Sequence, residues 1–142
     1  MKNLKIFICI LISFILLSTK CKENFLSRQD DRLKIKNNSQ ENIYYGLSYD
    51  YPDTSVGRYY PVNDPNVYLV KSYSEKKCTN RAKWETVFGS EIPSDTLLLF
   101  IFDSNVLETI PWDTVRKKYL ILKRYDLSYD DLERMNWTIT YP

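Results

Sequence analysis

A chain of 142 residues with 44% hydrophobic and 27% charged side chains has the composition of one ordinary folded domain. It has no histidine, which removes Ser-His-Asp and Cys-His chemistry, and its glycines (Gly46, Gly57 and Gly89) are too scattered for a phosphate-binding loop. The formal charge of +2 belongs to the first 20 residues, which hold Lys2, Lys5 and Lys20 and no acid; 17 basic and 18 acidic side chains remain beyond them, net −1, so nothing electrostatic points to nucleic acid.

Lys2 and Lys5 precede an apolar run, Ile6 to Leu17, broken only by Ser13. Such a run is short for a membrane span and suits the core of a signal peptide. The expected division is a signal peptide over 1–20, a polar tether over 21–31 and a single domain over 32–142. Cys9 leaves with the signal, and Cys21 and Cys78 remain. Two readings of that pair stand: a disulfide in an oxidising compartment, or a lipid on Cys21 with Cys78 left as a buried lone thiol. Leu16-Leu17-Ser18-Thr19-Lys20-Cys21 resembles the lipobox of bacterial lipoproteins, with Lys20 where that motif carries a small residue. Lys22-Glu23 looks like the charged stretch that follows the cysteine in Bacteroidetes surface lipoproteins. The resemblance implies lipidation at Cys21 and a place in the cell envelope, as an outer-membrane lipoprotein facing the periplasm or the surface.

Beyond the tether, Arg32 to Lys36 alternates and predicts a first strand. Asn37-Asn38-Ser39-Gln40 reads as a turn, and Ile43, Tyr45, Leu47, Tyr49 and Tyr51 alternate as a second strand, so the two predict a hairpin. Pro52 ends that strand. Val56 to Asn66, with Gly57, Pro61 and Pro65, predicts an irregular loop, and Val67 to Ser72 a third strand. Thr79 to Phe88 predicts a helix with Thr79 as N-cap and Gly89 just past its end. Leu97 to Phe102 is apolar on both pleat faces, the pattern of a central strand buried on both sides. Trp112, Val115, Tyr119, Leu122 and Tyr125 fall three or four apart and predict one long helix. Ser128 and Asp131 have capping-box spacing for another helix, and Trp137 to Tyr141 alternates as a closing strand. The fold class is therefore α+β: about five mainly antiparallel strands and about three helices, ending in a strand–helix–helix–strand unit.

The strings at 47–55, 111–116, 122–128 and 136–142 (the last Asn-Trp-Thr-Ile-Thr-Tyr-Pro) resemble small uncharacterised lipoproteins of Bacteroidales. That resemblance spans most of the mature domain, implies an exported lipoprotein and brings no activity with it. The segment 123–136 is also similar to the paired helices of LysM modules, which bind N-acetylglucosamine polymers, without their glycine-containing turn. Asp95-Thr96-Leu97 and Asp113-Thr114-Val115 resemble O-glycosylation sites of exported Bacteroidetes proteins and equally suit the start of a strand or helix.

Several groupings carry a functional and a plain reading. Asp50, Asp53, Asn63, Asp64 and Asn66 offer oxygen ligands for calcium, or the side chains that turns use beside proline. Glu85 and Glu91 are a carboxylate pair or exposed helix-end charges. Arg116, Lys117, Lys118, Lys123 and Arg124 form an anion patch or the solvated face of the long helix. Eight tyrosines lie between Tyr44 and Tyr73. Tyr45, Tyr49 and Tyr51 share a face with Ile43 and Leu47 and read as core, which leaves Tyr44, Tyr59 and Tyr60 as ligand candidates. The functional expectation is a non-catalytic envelope lipoprotein that binds or scaffolds, held to the membrane by its lipid. The alternative is a carbohydrate-binding surface module stacking sugars on those three tyrosines. The partner is then a glycan or an envelope protein; no cofactor and no nucleic acid are expected.

Overall fold

The computed structural model describes residues 29–142. The signal segment, Cys21 and most of the tether lie outside the described residues. Asp30, assigned to the tether, is buried and bridges to Asn80, so the packed domain reaches further toward the N terminus than expected.

The described residues form β1 (Lys34–Asn37), β2 (Ile43–Ser48), a 3-10 turn (Pro61–Asn63), α1 (Pro65–Tyr68), β3 (Leu69–Val70), β4 (Ser74–Lys77), α2 (Trp84–Ser90), β5 (Leu97–Asp103), α3 (Ser104–Thr109), α4 (Trp112–Lys118), β6 (Lys123–Leu127), α5 (Tyr129–Arg134) and β7 (Thr138–Tyr141). The fold is α+β, with two sheets ordered β4-β1-β7 and β3-β2-β5-β6. All pairings are antiparallel except β1 with β7.

β5 is the centre of the molecule. Leu97, Leu99 and Ile101 point to one face, Leu98, Phe100 and Phe102 to the other, and none is more than 1% exposed. The first face packs on Leu33 just before β1, on Ile35 and Ile139 of the smaller sheet, on Trp84, Val87 and Phe88 of α2 and on Leu132 of α5. The second packs on Leu107 of α3, Val115 of α4 and Val56. At about 1.5–3 kcal/mol per fully buried aliphatic or aromatic side chain, this strand is where most of the hydrophobic stabilisation converges. The doubly apolar pattern required this sandwiching, and the structure supplies it.

The expected hairpin does not form. β1 and β2 belong to different sheets, because Asn37 is drawn inside and turns the chain from one sheet to the other. Its side-chain amide donates to the carbonyls of Glu41, Val70 and Lys71, and its oxygen accepts from Ser39 N and Oγ. The long helix from Trp112 does not form either. α4 ends where Tyr119 turns left-handed (φ 54, ψ 47), and Leu122 N donates to Ile101 O at 2.8 Å, starting the β5–β6 ladder. Tyr125, assigned to that helix, sits in β6 opposite Leu99. The C-terminal third therefore runs strand, two short helices, strand, helix, strand. α3 was missed, although Asp103 caps it by accepting from Val106 N at 3.1 Å. The capping box of α5 forms as read: Ser128 Oγ accepts from Asp131 N, and Asp131 Oδ2 accepts from Ser128 N.

Two smaller corrections shape the site. The expected strand 67–72 keeps only two ladder residues, because Pro65 starts a short helix and α1 consumes Val67 and Tyr68. Ser74–Lys77, unassigned from sequence, forms β4 instead. The middle helix begins at Trp84 rather than near Thr79, and Gly89 lies within it. Its cap comes from far away: Asp30 Oδ2 accepts from Trp84 N at 3.1 Å. No helix among the described residues is long and apolar enough to cross a membrane.

Candidate aromatic cavity

Because β3 meets β2 only at Ile43 and Tyr44, Tyr45 to Ser48 have no strand partner on that side. A cavity of about 460 Å³ opens along this edge. Tyr45 and Tyr49 reach it from β2 and its extension, Tyr59 and Tyr68 from the loop and α1, Cys78 and Asn80 from the end of β4, and Trp84 from α2.

Three of the rings make a ladder from core to solvent. Tyr45 is fully buried, and its ring centroid lies 5.4 Å from that of Tyr68, tilted by 58°. Tyr68 lies 5.1 Å from Tyr59, tilted by 49°, and Tyr59 is 54% exposed. Such tilted contacts are favourable for aromatic quadrupoles, and they leave the outermost ring free on one face at the mouth.

The inner end is polar but incompletely bonded. Tyr45 Oη, Trp84 Nε1 and Asn80 Nδ2 are buried atoms with no hydrogen-bond partner among the described residues. An unmade buried hydrogen bond costs about 1–3 kcal/mol; these atoms are closed to the cavity, and the polar groups at hand are the Cys78 thiol for Tyr45 and the Tyr49 hydroxyl for Asn80. The titratable groups here are held neutral. Burial pushes the Cys78 thiol up to about 11 and the Tyr49 hydroxyl up to about 12, the latter helped by Cys78 and Glu91 nearby. Burial drives Tyr45 far above the ordinary tyrosine value, with Cys78 adding to it. At the rim, Asp50 accepts from Ser48 Oγ at 3.0 Å.

A second polar cluster closes the opposite side of Trp84. Asp30 accepts from Arg32 Nη2 at 2.7 Å and from Arg32 Nε at 3.0 Å. Arg32 Nη2 also donates to Glu85, at 2.8 Å, and Tyr129 Oη donates to Glu85 Oε1 at 3.0 Å. The Arg32 guanidinium lies 4.3 Å above the Trp137 ring. Burial works against ionised Asp30, but hydrogen bonds from Arg32 and from the Trp84 and Arg32 backbone outweigh it and hold the carboxyl below its usual range. Both oxygens of Asp30 and both of Glu85 accept here, which is the mark of a clasp rather than of a binding site. Glu85 is thus tied into that clasp, and Glu91 stands at the far end of α2.

The sequence-predicted tyrosines do not form one surface. Tyr44 is only 2% exposed and donates to Glu108 Oε1 at 3.2 Å. Its side chain faces the helical layer, because α3 and α4 cover the pleat face that was expected to be open. Tyr60 stacks on Trp112 at 5.2 Å and donates to the Leu107 carbonyl. Of the three, Tyr59 alone lines the cavity. Tyr45, read as core, is both core and cavity wall; Tyr51, also read as core, is 39% exposed. Cys78 is a free, buried thiol, and Cys21 lies outside the described residues.

The remaining groupings resolve into local bonding. Asp53 Oδ1 accepts from Ser55 N at 2.9 Å, a turn-forming contact. Among the described residues no three histidine, cysteine, aspartate or glutamate side chains gather as a metal site. The basic cluster is split between α4 and β6: Arg116 Nε donates to the Val56 carbonyl, and Arg124 pairs with Asp126.

Sequence reasoning missed Tyr68, Asn80 and Trp84 as site residues. Trp84 is fully buried in α2, and only its unbonded indole N–H distinguishes it. The signal available was the pairing of Tyr45 and Tyr49 on one pleat face with a cysteine read as buried. No protein-family model matches the chain, and no curated protein or solved structure is significantly similar to it.

Proposed function

We propose that this chain is an exported, lipid-anchored protein of the cell envelope that binds a small molecule in its aromatic cavity and does not transform it. The carrying observation is a cavity of about 460 Å³ whose aromatic wall runs from the buried Tyr45 ring through Tyr68 to the exposed Tyr59. Concave, largely apolar sites of this size with a few convergent polar groups are the usual form of small-molecule sites. A non-catalytic role is supported by the neutral state of the lining groups: a thiol near 11 and phenols pushed well above 10 are poor nucleophiles and bases at neutral pH. Export and anchoring rest on the apolar run before Cys21 and on the lipobox-like string. Stacking of a sugar on Tyr59, at the cavity mouth, is the form in which the carbohydrate reading survives.

Two measurements test the proposal. The intact mass of membrane-extracted protein is expected to show an acylated N terminus at Cys21, lost in Cys21→Ser; an uncleaved or unlipidated chain would refute the anchoring. A thermal-shift screen of full-length protein in detergent is expected to find stabilising small molecules that are recovered unchanged after incubation. Recovery as a converted product would make the protein an enzyme.

A further inference from the structure

We propose that β6 is an interface strand: a second copy of this chain sets its own β6 beside it, antiparallel and centred on Tyr125, so that the two larger sheets run on as one. In the order β3-β2-β5-β6 this strand has a neighbour on one side only. Among the described residues no backbone hydrogen bond other than the β5 ladder reaches Lys123–Leu127. A row of N–H and C=O groups is thus open to another strand.

The charges on this edge complement themselves. Arg124 and Asp126 lie opposite Phe100 and Leu98 of β5, so both side chains stand on one pleat face, on either side of Tyr125. Within one copy they already pair, Arg124 Nε to Asp126 Oδ1 at 2.7 Å, and they stay 32% and 36% exposed. A two-fold axis through Tyr125 sets Arg124 directly opposite Asp126 of the second copy, and Asp126 opposite its Arg124. Four charges then alternate in sign around the axis, and each gains a second partner of opposite charge. Free edges are commonly guarded by a proline or an unmatched charge. β6 has no proline, and its remaining charge, Lys123, is drawn over the Tyr125 ring, 4.7 Å from the centroid, on the other pleat face.

The margin of the edge is apolar. Leu122, just before the strand, is 45% exposed. Tyr119, edge-on to Phe100 and accepting from Arg124 Nη1 at 3.0 Å, is 39% exposed. Pairing centred on Tyr125 brings Leu122 to the second copy's Ser128, the N-cap of its α5, and covers apolar surface that a lone copy leaves wet.

Native mass spectrometry of full-length protein released from detergent micelles tests the pairing, since it reads copy number directly and separates variants by mass. The wild type is expected as a dimer. Arg124→Asp sets acid against acid across the axis, and Asp126→Arg sets base against base. Each variant alone is expected to be monomeric at concentrations where the wild type is paired. Mixed in equal amounts, the two complement each other and are expected to give the heterodimer and neither homodimer. The double variant, Arg124→Asp with Asp126→Arg, restores every pairing and is expected to dimerise as the wild type does. Both side chains are on the surface, so far-ultraviolet circular dichroism is expected to stay unchanged. Should a single variant misfold, the double variant decides by dimerising or not. A monomeric wild type overturns the inference. So does a dimer that survives either single reversal, because it joins through another surface, and so does a mixture that stays monomeric.

Discussion

Asn37 Nδ2 donates to the Val70 carbonyl at 3.3 Å, a bond from the end of the smaller sheet to the short edge strand of the larger one. The two sheets share no ladder, so this fully buried amide is a polar stitch between them. Its oxygen also holds Ser39 N at 2.9 Å, which fixes the turn that carries the chain across. Asn37→Ala leaves the Glu41, Val70 and Lys71 carbonyls and the Ser39 N–H short of a partner. It is expected to cost about 3 kcal/mol, read as a lower denaturant midpoint at unchanged slope. Asn37→Asp keeps the acceptor but sets a charge against three carbonyls, and should cost more.

The Asp30–Arg32 clasp makes stability depend on acid. The Asp30 carboxyl is held below its ordinary value in the folded state. Its contribution is therefore fully present above the unfolded value near 3.8 and is lost as pH falls through the lower, folded value. Between pH 5 and pH 2 the unfolding midpoint of the wild type should fall more steeply than that of Asp30→Asn. At pH 7 the variant should be less stable by about 2 kcal/mol, since it loses the charge and one of the two oxygens that serve Arg32 and the first turn of α2. A constant gap between the two curves across that range would disprove the linkage.

Cys78 is expected to be inert in the folded protein. With the thiol near 11, roughly one molecule in a thousand carries thiolate at pH 8, and burial blocks access as well. Thiol-exchange reagent should react in step with unfolding by denaturant and not before it. Fast labelling of native protein at pH 8 would show that the cavity wall opens.

Tyr45→Phe tests what the buried hydroxyl contributes to the fold. Removing a buried hydroxyl that has no partner is expected to leave the free protein as stable or more so, by up to about 1 kcal/mol, in thermal unfolding. A loss of more than about 2 kcal/mol would mean the hydroxyl is bonded, with the buried Cys78 thiol as the partner at hand.

What was legible in the sequence was what is decided locally. Leu97 to Phe102 admits no pleat face that tolerates water, so its central place follows from its own residues. Ser128 and Asp131 bond each other within one turn, so their capping box needed nothing else. The failures all involve a distant partner. Leu122 and Tyr125 continue the spacing of α4, but Ile101 requires a ladder neighbour, and that demand outweighs a helical stripe once Tyr119 turns left-handed. Thr79 looked like the cap of α2, yet the cap is Asp30, more than fifty residues before Trp84. The candidate site follows the same rule. Tyr59 was found because exposure in a proline-bound loop is a local property. Tyr44 was misplaced because its cover, α3 and α4, comes from sixty residues downstream, and the unbonded state of Trp84 Nε1 has no sequence signature at all.

The parallel pairing of β1 with β7 sets a timetable. Ile35 lies beside Ile139, so the smaller sheet has its middle strand near one end of the domain and an edge strand at the other. Its register cannot form until the last strand is free to move, and more than a hundred residues must be looped before that contact repays the closure entropy. Folding dominated by such pairings runs in milliseconds to seconds rather than microseconds. A chain with this wiring leaves its first strand without its parallel neighbour until the last strand arrives, so the two ends of the domain close together.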